Sequence, residues 1–307
     1  MSDRPAAEVP ALIALFAGAL AIGSSGIFVR LSLTGPTATA FWRGALALPL
    51  LAVWALLERR GARTQPGSWR DPLFLWAGVF FAGDLALWHS SLLLTSIAAS
   101  TLEANCAPML VSLFTWALWR ERPRPAFLLS IVLAFGGMLM ILAPKLGGGS
   151  HALLGDALGL GTACFYAAYI IAVARLRTRH ATGIVMFAST LVFTLLLLPL
   201  ALLQQFLPLD AHGWWLLIGC ALVAQVLGQG LIAYALAHLP ATFGAVGLYV
   251  QVIAAAGYAW LLLSERLTPL QLAGGAVVLV SIALARRAAQ PQRASSQSSV
   301  VAHSDAR

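Results

Sequence analysis

Apolar residues run through this chain in long, nearly unbroken stretches, and the polar residues are confined to short connections and a tail. Backbone groups inside lipid must be satisfied within their own segment, so each run of roughly 20 apolar residues predicts a membrane-spanning helix. Ten such runs stand at residues 10–30, 36–57, 72–94, 97–119, 125–143, 154–174, 182–203, 214–236, 243–263 and 269–285. The expected fold class is an all-α integral membrane protein. The first run is longer than a signal-peptide core and follows a lone Arg4 diluted by Asp3 and Glu8, so it is expected to stay attached as an anchor. Residues 286–307 are Ser- and Gln-rich and predict a disordered tail.

Composition agrees. Of 307 residues, 60% are hydrophobic and 10% charged, with mean hydropathy +0.85. A water-facing surface of the usual charge, about 25% of residues, cannot be written with so few. A soluble enzyme is excluded, and the short connections leave no room for a large domain outside the membrane. The formal charge of +8 sits in clusters between apolar runs, which points to anionic lipid headgroups as partner and not to nucleic acid. Lys145 is the only lysine and follows Pro144, so no phosphate-binding G-K-[ST] loop exists. Cys106, Cys164 and Cys220 lie inside apolar runs as small hydrophobes, with no C-x-x-C, and no cofactor or metal site is expected.

Placing the N-terminus inside puts 15 Lys and Arg on the inner side and three, Arg30, Lys145 and Arg266, on the outer, with Arg43 inside the second run. That split predicts an even number of crossings with both termini cytoplasmic.

The two halves repeat. FTWALWRERPRPAFLL around Glu121 aligns with YAWLLLSERLTPLQLA around Glu265 at a constant offset of 144 residues, matching Trp116 to Trp260, Leu118 to Leu262, Arg122 to Arg266 and Pro125 to Pro269. The expected organisation is a short N-terminal segment 1–9, a five-helix repeat 10–143, a linker 144–153, a second repeat 154–285 and the tail 286–307. Five is odd, so the second copy enters the membrane inverted, an arrangement of secondary transporters. The inner copy of the hairpin, RERPR, holds three arginines where the outer copy, SERLTP, holds one, as the positive-inside rule requires. Glu121 and Glu265, at short turns, are expected to be structural pivots that accept from exposed helix N–H groups.

Ten helices in two inverted halves, each with an E-R and Pro hairpin before its last helix, resemble the drug/metabolite transporter superfamily in its EamA-type branch of exporters. The likeness covers about residues 10–287, including GDLALWHSSLLLTSIAASTLEANCAPML from Gly83 to Leu110 and FWRGA from Phe41 to Ala45. It implies helices around a central cavity, with amino acids or related small metabolites moved outward. The expected location is a bacterial inner membrane, and the expected assembly a monomer or a homodimer.

Ionisable groups at bilayer depth are costly and normally face a cavity or a partner. Arg43, Asp84, His89 and Glu103 qualify. Arg43 is expected either to pair with Asp84 or Glu103 or to face the cavity. Asp84 has the alternative of lying near the inner interface, while Glu103 lies deeper. Asn105 and Pro108 follow Glu103, and Pro108 is expected to kink the fourth helix by displacing the carbonyl of Ala104. The matched position in the ninth run is Val252, beside Gln251, which leaves a symmetric break open. Trp88, Tyr166, Tyr169 and Tyr249 offer aromatic faces for an ammonium group, against the alternative of packing. Gly155 and Gly159 form a small-xxx-small pair for close helix approach.

The function expected is secondary transport of small metabolites, most of all amino acids, by alternating access. The alternatives are a transporter of other small molecules, a channel, or an intramembrane enzyme. A channel usually needs a symmetric ring of like residues. For an enzyme, His89, Ser90 and Ser91 are adjacent, so they point apart, and no Gly-rich nucleophile setting surrounds them.

Overall fold

The computed structural model describes residues 4–61, 71–91, 94, 103–120, 124–143, 152–263 and 268–289. Glu121, Glu265 and the tail from residue 290 lie outside the described residues. Eight described helices are long and apolar enough to cross a membrane, and two shorter apolar ones, Ala107–Leu118 and Pro125–Ile141, fall where the fourth and fifth spans are expected. The protein is an all-α membrane protein. Many large side chains on the outer faces, such as Leu153 and Trp215, are exposed, as a lipid-facing surface requires.

Spans from the two halves interleave. The second packs along the seventh, the fifth along the tenth, and the fourth against the ninth. The third packs against the sixth as the eighth does against the first, and the third against the seventh as the eighth against the second. Adding five to each span number, and subtracting five beyond ten, leaves this set of pairings unchanged. Small residues allow the closest approach: a Cβ on Gly137 of the fifth span would lie 2.7 Å from the backbone oxygen of Gly274 in the tenth.

Among the described residues, three spans are interrupted. The first is helical over Arg4–Gly23 and again over Ser25–Leu31, and Ser24 Oγ donates to the carbonyl of Ala21 at 2.6 Å. Gly23 lets the ninth span approach, since a Cβ there would lie 2.8 Å from the carbonyl oxygen of Gln251. The fourth span turns at Asn105 and Cys106, and its helix resumes at Ala107 and runs to Trp119. The ninth is helical over Ala241–Gly247, turns at Leu248 and Tyr249, and continues over Val250–Leu263.

The fourth span is interrupted where a disruption was expected, directly after Ala104, and the form is a break between two helices and not a bend in one. Pro108 is in the first turn of a new helix, where N–H groups have no partner within the helix, so the missing donor costs little. The ninth span breaks at the matched place without a proline: Asn105 and Tyr249 are separated by 144 residues, the spacing of the repeat. There Gly244 and Gly247 lower helix propensity instead, and Tyr249 N–H bonds to Val246 three residues back at 3.1 Å. Cys106 N–H does the same to Glu103 at 2.9 Å.

The eighth span departs from a regular α-helix in its middle. Between Ala211–Gly219 and Gly230–Ala235, residues Cys220–Gln229 form a π-helix. With i→i+5 bonding, residues four and five apart share a face, so Gln225 and Gln229 both turn toward the bundle and are buried.

Candidate functional site

A cavity of about 210 Å³ lies where the first, second, third, fourth, sixth, eighth and ninth spans meet. Sites for drug-sized ligands run from about 300 to 1,000 Å³, so this one suits a smaller molecule. Its wall includes Arg43, Asp84, Trp88, Asn105, Tyr166 and Gln251, six of the ten residues singled out from the sequence.

Arg43 is 5% exposed. Its Nε donates to Gln225 Oε1 at 2.9 Å and its Nη1 to Ser25 Oγ at 3.4 Å. Gln225 is itself oriented, because its Nε2 donates to Thr190 Oγ1 at 3.0 Å. The guanidinium carbon stands 5.7 Å from the ring centroid of Phe81. Phe81 in turn stacks on Tyr169 at 4.4 Å, and Tyr169 on Tyr166 at 6.1 Å. The chain therefore fixes the guanidinium on two edges and one face, while Nη2 has no hydrogen-bond partner among the described residues.

Asp84 stands on the same wall, 8% exposed, well inside the third span, which begins at Leu73. It is near enough for the guanidinium charge to act on it. Even so, no ion pair joins the two among the described residues. Of the two expectations for Arg43, the geometry follows the second: it lines the cavity, held by the neutral partners Gln225 and Ser25 and not by Asp84 or Glu103. Across the cavity Gln251 Nε2 donates to Asn105 Oδ1 at 3.0 Å. Gln229, 3% exposed, turns its side-chain amide toward the Tyr166 hydroxyl, and its Oε1 has no partner.

Four of the expected residues do not line this cavity. Glu103 precedes the break in the fourth span, and its carboxyl group lies beside Asp156 in the notch left by Gly159. His89 is 2% exposed and points away, because adjacent helical residues are about 100° apart; its ring is 5.0 Å from that of Trp88. Tyr169 forms the layer behind Phe81 and Tyr166. Tyr249 is 0% exposed in the turn of the ninth span, and its hydroxyl has no partner among the described residues.

The sequence reading passed over Ser25, Asp156, Gln225 and Gln229. Two glutamines four residues apart inside the apolar run CALVAQVLGQ were the available signal, since uncharged amides at bilayer depth also need partners. Asp156 was legible as an acid near the start of the sixth run.

Comparison with known proteins places this architecture. Residues 9–143 and 153–287 each match the EamA-like transporter family. The chain is 31% identical over 249 residues to the Pseudopaline exporter CntI of Pseudomonas aeruginosa, covering 80% of this chain and 84% of that protein. It is 30% identical over 266 residues to the Threonine/homoserine exporter RhtA of Escherichia coli, covering 84% of each. One protein crystal structure superposes with a TM-score of 0.77 over 95% of this chain and 100% of the other at 17% identity, which shows a shared fold.

Proposed function

The chain belongs to the EamA-like transporter family, whose members are transporters and not enzymes, and from that premise we propose that it exports small zwitterionic metabolites, amino acids foremost, by alternating access. The observation that carries this reading is that Arg43 and Asp84 bring opposite charges to one cavity without pairing with each other. Charges buried in low dielectric are costly unless matched. A substrate carboxylate at Arg43 Nη2 and a substrate ammonium at Asp84 match both at once. The threonine/homoserine exporter among the relatives supports the same substrate class. Alternating access is supported by the breaks in the fourth and ninth spans at matched positions, which supply hinges for one half to rock against the other. The split of 15 to three Lys and Arg supports cytoplasmic termini in a bacterial inner membrane.

Counterflow in liposomes tests the reading. Purified protein is reconstituted, loaded with an unlabelled amino acid from a panel that includes L-threonine, and supplied with the labelled one outside. Saturable, trans-stimulated uptake is expected from the wild type and little from Arg43→Gln. Failure of every amino acid to exchange overturns the substrate class, and uptake that neither saturates nor responds to internal load indicates a channel. For topology, a cysteine at Ser298 in a Cys-free chain should resist an impermeant thiol reagent in intact cells while one at Gly148 reacts.

A further inference from the structure

We propose that Gln229 determines specificity for a primary ammonium group, by accepting a hydrogen bond from the substrate nitrogen alongside Asp84. The inference rests on the zwitterion reading and adds how the nitrogen end is recognised. Its geometric basis is a second orphan in the same cavity. Gln229 is 97% covered, lines the wall, and has an Oε1 with no hydrogen-bond partner among the described residues. Tyr166 lines the same wall beside the Gln229 amide and stands within electrostatic range of Asp84. Asp84, Gln229 and Tyr166 therefore form one acceptor-bearing wall, while Arg43 Nη2 supplies the donor for the other end of the ligand. A buried acceptor left unmet is costly, so a ligand that offers it an N–H is favoured. A primary ammonium has three N–H donors, enough for both Asp84 and Gln229 with one to spare for the Tyr166 oxygen. Each N-methyl group removes one. Gln225 and Gln229, four residues apart on the π-helix, share a face, so a single span meets Arg43 with Gln225 and the nitrogen site with Gln229.

The experiment compares L-threonine, N-methyl-L-threonine and N,N-dimethyl-L-threonine as competitors of L-threonine counterflow by the full-length protein in liposomes. The wild type should prefer the primary amine by about tenfold to a hundredfold over the dimethyl form. Gln229→Met keeps the volume and removes the acceptor, so affinity for L-threonine and for its N-methyl form should fall, while that for the N,N-dimethyl form, whose single N–H goes to Asp84, barely changes, bringing the preference over the dimethyl form toward unity. Gln229→Glu restores an acceptor and should restore the preference. A preference unchanged in folded Gln229→Met means that steric fit and not a hydrogen bond discriminates, and overturns the inference, as does a wild type indifferent to methylation. Should Gln229→Met not fold, Gln229→Glu decides, because loss of the preference with an acceptor still present is equally fatal. If the wild type exchanges no amino acid, the zwitterion reading itself falls. If it exchanges them without this dependence on residue 229, only the present inference does.

Discussion

Gln251 Nε2 donates to Asn105 Oδ1 at 3.0 Å, joining the turn in the fourth span to the ninth span across 146 residues of chain. The repeat offset of 144 would set Ala107 opposite Gln251, and an alanine offers no side-chain partner. The bond is therefore a tie between the two halves that the repeat does not duplicate, whereas the packing of the spans is preserved by exchange. Hydrogen bonds between helices in membranes are worth about 0.6 kcal/mol on average and at most about 1.7. Asn105→Leu and Gln251→Leu should each weaken counterflow, and in a double-mutant cycle on thermal unfolding they should couple by an amount in that range. Strict additivity would show that the two amides do not act on each other in the protein in solution.

The break in the fourth span should not depend on its proline. Pro108 stands where a helix begins, and the ninth span breaks at the matched place with glycines and no proline. Pro108→Ala should therefore change stability by less than about 1 kcal/mol and leave counterflow intact. A helix that becomes continuous through Asn105, seen as lost transport together with raised stability, would restore the proline-kink reading.

Much of this architecture was legible in the chain itself, for reasons that can be named. Run length decides spans because lipid accepts almost nothing but helices, and an odd number of spans per repeat dictates inversion. Residues such as Arg43 and Asp84 stood out because charge in an apolar run is expensive. What could not be read was orientation about each helix axis and local departures from the α-helix. A fully apolar span has no polar face to give its rotation, so Glu103 was expected inward, although it lies beside Asp156. The π-helix that presents Gln225 and Gln229 has no signature in CALVAQVLGQ, and the break at Leu248 and Tyr249 arises from glycines that pack as well as bend.

Adjacent glycines in the fifth span should give opposite outcomes. A Cβ on Gly136 meets nothing within 4 Å, whereas one on Gly137 would lie 2.7 Å from the Gly274 carbonyl oxygen and 3.0 Å from the Val278 backbone nitrogen. Backbone atoms cannot rotate aside as a side chain does. Gly137→Ala should force the fifth and tenth spans apart and cost about 1–3 kcal/mol. Gly136→Ala should be neutral or stabilise by up to about 1 kcal/mol through helix propensity. Thermal unfolding in detergent measures both, and equal effects would contradict the close approach of the two spans.

The two acids of the first repeat should separate in their effect on transport. From the sequence Glu103 looked the deeper of the two, whereas in the fold Asp84 lines the cavity near Arg43 and the Glu103 carboxyl group lies over Gly159 beside Asp156. A substrate ammonium at Asp84 makes a charge-assisted hydrogen bond, and losing one is worth about 1.5–3 kcal/mol, roughly a tenfold to hundredfold loss of affinity. Asp84→Asn should show that loss for L-threonine counterflow. Glu103→Gln keeps the shape that fills the notch and removes one of two neighbouring carboxyl groups, so folded yield and counterflow affinity should stay near wild type. Both variants are to be checked for monodispersity first, because a buried polar change can act through folding alone. If Glu103→Gln loses affinity and Asp84→Asn does not, the ammonium is recognised in the fourth span, and the charge pair argued from Arg43 and Asp84 is the wrong one.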